Sequence, residues 1–124
     1  ILVLAVMSNV TFRDTLIGVV CDLASADRQR RYQASLPSVS ATAELRCGWF
    51  DDLYHPDTDL FLNSFSPAER EALAQFHQAF AAALPDLPPD ESGLEAYIES
   101  TAGRRVEAAA QAVLLKCGWV AHDR

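Results

Sequence analysis

Apolar positions recur at helical spacing along most of this 124-residue chain. Phe12, Leu16, Val19, Val20 and Leu23 fall on one face of a helix from about Thr11 to Leu23, with Thr11 as its cap and Asp14 completing a capping box. A polar stretch with Arg28, Arg30 and Arg31 follows and breaks at Leu36-Pro37, because a residue before proline resists the α conformation. A second helix is expected from about Val39 to Tyr54, burying Leu45, Trp49 and Leu53, with His55-Pro56 ending it. Ser66-Pro67-Ala68-Glu69 is the clearest start signal: N-cap serine, proline at the first helical position and glutamate at the third. Leu73, Phe76, Phe80 and Leu84 form the stripe that follows, and Pro85 stops it.

Residues 85–91 read as a linker. Ser92-Gly93-Leu94-Glu95 reads as another capping box before a short helix with Leu94, Tyr97 and Ile98. The last helix, about Gly103 to Cys117, is apolar over more than one face, which predicts a central place in the bundle. Only the N-terminus suggests a strand. The fold expected is all-α, a single-domain bundle of four to six helices over residues 10–119. Residues 1–9 form an apolar extension and residues 120–124 a C-terminal tail.

The extension, Ile1 to Met7, is wholly apolar yet too short to span a bilayer. No basic region precedes it and no small-x-small site follows, so it is not a complete signal peptide. It is assigned no function; a late start at Met7, a signal remnant and a tail that pairs with a neighbouring chain are the three alternatives. Three widely spaced cysteines, Cys21, Cys47 and Cys117, with no C-x-x-C, suit reduced thiols in a cytoplasmic setting, each as a small core hydrophobe.

Charge changes the picture more than any motif does. From Asp51 to Glu99 eleven carboxylates stand against one base, Arg70. The preceding segment has five arginines against four acids and the following one four bases against two, for a net charge of −7. Such a field repels nucleic acid and anionic lipid and attracts basic surfaces. The three arginines at 28–31 are expected to balance it.

The densest candidate for chemistry is Asp51-Asp52-Leu53-Tyr54-His55-Pro56-Asp57-Thr58-Asp59. Its bland reading is a solvated, turn-rich helix end. As a partner-binding acidic face it would use Asp51, Asp52, Asp57 and Asp59. On a helix, Asp51 and Asp52 also lie four and three residues before His55, so carboxylate and imidazole could meet at a divalent ion. The spacing fits no calcium loop, since Phe61 and Leu62 stand where an oxygen ligand and glycine belong.

Leu45-Arg46-Cys47-Gly48-Trp49 recurs as Leu115-Lys116-Cys117-Gly118-Trp119. The second copy reads as a helix end with Gly118 left-handed and Trp119 folded back on Leu114, whereas the first helix is expected to run on through Gly48. His77 lies on the apolar stripe and is expected at the core edge, bonded to backbone; His122 falls in the tail. No catalytic motif or phosphate loop is present.

These features rank three roles. The first is a non-catalytic module that binds a protein with a basic surface, of inhibitor or immunity type, with no cofactor, nucleic acid or membrane. The second is a divalent-metal protein or small enzyme using the 51–59 cluster. The third is a structural homodimer whose exposed Tyr54, Phe61 and Phe65 close an interface.

Overall fold

The computed structural model describes residues 9–36 and 38–119, so residues 1–8 of the expected extension and the C-terminal tail lie outside the described residues, while Asn9 already belongs to the first helix. Helix α1 (Asn9–Leu23) is followed by α2 (Ala26–Ala34), α3 (Ala41–Cys47), a widened helical segment at Gly48–Leu53, α4 (Asp59–Ser64), α5 (Pro67–Ala83), α6 (Leu94–Glu99) and α7 (Thr101–Cys117). The architecture is all-α, with seven α-helices and no strand among the described residues. None of these helices is long and apolar enough to cross a membrane.

The expected stripes are the core. Phe12, Leu16, Val20 and Leu23 of α1, Leu45, Trp49 and Leu53, and Leu73, Phe76 and Phe80 of α5 are all buried in one cluster with Val106, Ala110 and Val113 of α7. Helix α5 packs along α7, and α1 crosses both α7 and α4. The capping box at Ser66 forms in full: Glu69 N–H donates to Ser66 Oγ at 3.2 Å and Ser66 N–H to Glu69 Oε1 at 2.9 Å.

Several boundaries differ from the sequence reading. Thr11 is no cap, because the chain is already helical at Asn9. Residues 26–34 form a helix and not merely a polar stretch. Its anchors are polar: Ser25 caps it, and the buried Gln29 amide donates to the Asp22 and Leu23 carbonyls at 2.9 and 3.2 Å. A helix held this way carries no apolar period to detect. Thr58 caps the short α4 by accepting from Phe61 N–H, at a place read only as a turn. Gly93, at φ 94°, and not Ser92, is the N-cap of α6. Helix α7 buries one side only, and Leu115 on its outer side is 83% exposed.

The duplicated pentapeptide takes two conformations. Gly118 is left-handed at φ 68°, and the N–H groups of Gly118 and Trp119 turn back to the carbonyls of Leu115 and Leu114 at 3.3 and 2.9 Å. Gly48 is right-handed at φ −58°, and the helix runs on through it. Cys47 is exposed, Cys117 half-buried and Cys21 buried, so only Cys21 meets the expectation of a core thiol.

Candidate docking face: the acidic turn at residues 51–59

Beyond Gly48 the helix widens until Tyr54 N–H reaches the Trp49 carbonyl, five residues back, at 2.9 Å. Widened turns of this kind are rare and concentrate at functional sites. Trp49 and Leu53 remain buried in this register, while Asp51 is exposed and Asp52 half-buried. His55-Pro56-Asp57 then turns the chain. The Thr58 hydroxyl and N–H both donate to the His55 carbonyl, at 2.8 and 3.1 Å, which fixes the entry into α4. Asp57 is exposed on the turn. Asp59, also exposed, occupies the first helical position of α4, where the helix dipole favours negative charge.

Four of the seven remaining acids of the segment are paired with arginines from distant parts of the chain. Arg13 holds Glu69 at 2.8 Å, Arg30 holds Glu95 at 2.9 Å, Arg46 holds Asp90 at 2.8 Å and Arg105 holds Asp86 at 3.1 Å. The Arg46 guanidinium keeps the Asp90 carboxyl below its ordinary range, and Arg30 does the same for Glu95. Asp22 takes Arg28 at 2.9 Å, so two of the three arginines at 28–31 balance acids, one of them from the acidic segment. Asp51, Asp52, Asp57 and Asp59 have no ion pair among the described residues. Among the described residues this turn is the densest group of acids left without an ion pair.

His55 Nε2 lies 2.8 Å from the main-chain carbonyl of Asp51, not from a carboxylate. Among the described residues no group of three or more His, Cys, Asp or Glu side chains is gathered as a metal would need, so Asp51, Asp52 and His55 are neighbours in sequence without forming a ligand set. The dimer reading required exposed aromatics. Phe61 and Phe65 are instead buried, in edge contact with Phe12 at 6.3 and 6.2 Å between ring centroids. Of the three rings only Tyr54 reaches the surface, and it is half-buried.

What supports the turn from beneath is not readable from the sequence. Tyr54 stacks on Trp49 at 5.0 Å and on His77 at 4.3 Å, and Phe50 lies 5.3 Å from the same imidazole. His77 does sit at the core edge, but its partner is a side chain and not backbone: the Trp49 indole N–H donates to His77 Nδ1 at 3.1 Å. Burial lowers the His77 pKa from its ordinary value. The stripe position of His77 was the one available signal; the 28 residues separating it from Trp49 carry none. Compared with known proteins, the chain matches no family model, no curated protein and no solved structure.

Proposed function

We propose that this protein is a small, acidic, non-catalytic binding module whose 51–59 turn docks on a basic surface of another protein, as an inhibitor or immunity-type protein covers a basic site. The supporting observation is selective neutralisation. Glu69, Asp86, Asp90 and Glu95 have arginine partners and Glu71, Glu91 and Glu99 stand singly, while Asp51, Asp52, Asp57 and Asp59 are crowded on one turn with no ion pair among the described residues. Unpaired carboxylates at fixed spacing speed encounter with a cationic partner and set its orientation. The carboxylates lie on a turn pinned by buried Trp49 and Leu53, so little order is lost on binding. The odd count and wide spacing of the cysteines fit a reducing, cytoplasmic setting.

The test is affinity capture from lysate of the source organism with three baits. One is the unaltered protein and one carries Asp51, Asp52, Asp57 and Asp59 changed to Asn. The third has Glu71, Glu91, Glu95 and Glu99 changed to Gln, which removes the same charge elsewhere. The expected result is a basic protein kept by the first and third baits, lost by the second, and released by salt. Equal retention on the second and third would reduce the effect to net charge, and no specific retention on any bait would overturn the reading.

A further inference from the structure

The acidic turn rests on a single titratable ring. His77 Nδ1 accepts the indole N–H of Trp49, so the neutral imidazole carries its own proton on Nε2. Trp49 is fully buried, and among the described residues its N–H has this one hydrogen bond. Tyr54, which joins the widened segment to His55–Asp59, stacks on both members of the contact, 4.3 Å from His77 with an interplanar angle of 22° and 5.0 Å from Trp49 at 12°. The segment that presents Asp51 and Asp52 is thus fixed at Trp49 and Tyr54, and both fixings converge on His77.

We propose that His77 is an acid-sensitive latch on the docking turn, released when a proton from solvent enters at Nδ1 and displaces the Trp49 indole. The cation has N–H groups on both ring nitrogens, so two donors would face each other across a 3.1 Å contact. Relief requires Trp49 or His77 to move, and Tyr54 is stacked on both. Attraction of the cation to the Tyr54 face, about 0.5–2 kcal/mol, opposes release and is set against about 1–3 kcal/mol for a stranded buried donor. The groups facing His77 from the widened segment and its C-cap are Trp49, Phe50 and Tyr54. Tyr54 is the titratable one, and burial together with Asp57 pushes its phenol up, so it stays neutral. From its own helix the neighbouring stripe residues Leu73, Phe76 and Phe80 are uncharged. Burial lowers the His77 pKa, and among the described residues no carboxylate pairs with His77 to hold the cation.

The regulatory consequence, loss of a well-placed acidic face in mild acid, rests on the docking reading above. The latch itself is tested on the isolated protein. Nuclear magnetic resonance would follow the His77 ring protons and the Trp49 indole N–H between about pH 7.5 and pH 5, the range in which histidine titrates. The expected result is one shared midpoint, below the ordinary histidine value, and a static Trp49 signal in His77→Asn, which keeps an acceptor but cannot titrate. Trp119 is the internal control: its indole bonds Glu69, which stays ionised throughout this range. A Trp49 signal that stays still while His77 titrates, or that moves equally in His77→Asn, would overturn the latch. If His77→Asn does not fold, coincidence of the two midpoints in the unaltered protein decides. A shared midpoint beside a failed capture experiment would leave the latch standing and remove only its consequence for docking.

Discussion

Arg13 and Glu69, 56 positions apart, meet in a two-pronged ion pair with N–O distances of 2.8 and 2.9 Å. The same carboxylate accepts the Ser66 N–H of its capping box and the Trp119 indole N–H at 3.3 Å. The Arg13 guanidinium also lies 5.3 Å from the Phe65 ring and 5.6 Å from Trp119. One carboxylate thereby joins α1, the start of α5 and Trp119, two residues past α7.

This junction predicts an acid-labile contribution to stability. The Arg13 hydrogen bonds hold the Glu69 pKa at about 2, below its ordinary 4.5. A carboxyl with a depressed folded pKa stabilises above its unfolded value and loses that contribution as pH falls toward the folded one. Arg13 is a third exposed, so solvent screening reduces the effect to about 2 kcal/mol. Denaturant titrations of Glu69→Gln and the unaltered protein should differ by that much at pH 7, and the gap should close as pH falls from 4.5 toward 2.

The twin pentapeptides predict opposite responses to one substitution. A Cβ on Gly48 meets nothing within 4 Å and its φ is −58°, so Gly48→Ala should be neutral or stabilise by about 0.5 kcal/mol. Gly118 at φ 68° should lose about 1 kcal/mol as alanine. Melting temperatures moving in the same direction would refute this.

Gly103→Ala should cost more than either. Its Cβ would collide with the Tyr97 carbonyl, which belongs to backbone and cannot turn aside. A loss of about 1–3 kcal/mol is expected from such overpacking, measured by chemical denaturation.

In the core, Phe76→Ala and Phe80→Ala should each cost about 3–5 kcal/mol, and Ser66→Ala about 1 kcal/mol through the lost cap. Phenylalanine losses below about 1 kcal/mol would place the α5 stripe outside the core.

Replacing Asp51, Asp52, Asp57 and Asp59 by Asn together should leave stability unchanged or slightly raised at low salt. These carboxylates have no ion pair among the described residues to lose, and relief of their mutual repulsion offsets the helix-dipole contribution of Asp59, about 0.3–1 kcal/mol. A melting temperature lowered by several degrees would show that they are structural.

The all-α class, the three long apolar stripes, the Ser66 capping box and the left-handed Gly118 are legible along the chain, because each is written in residues within a few turns of one another. The acidic bias from Asp51 to Glu99 was equally legible. Helix α2 was not, because Gln29 and Ser25 hold it through main-chain hydrogen bonds and leave no periodic signal. Nor was the choice of which acids are neutralised. Arg30 with Glu95 and Arg46 with Asp90 are separated by 65 and 44 residues, and only the packed bundle brings them together. The same holds for Trp49 and His77. Local sequence sets the conformations the backbone prefers, whereas pairing between distant polar groups depends on where the buried stripes force the helices to lie.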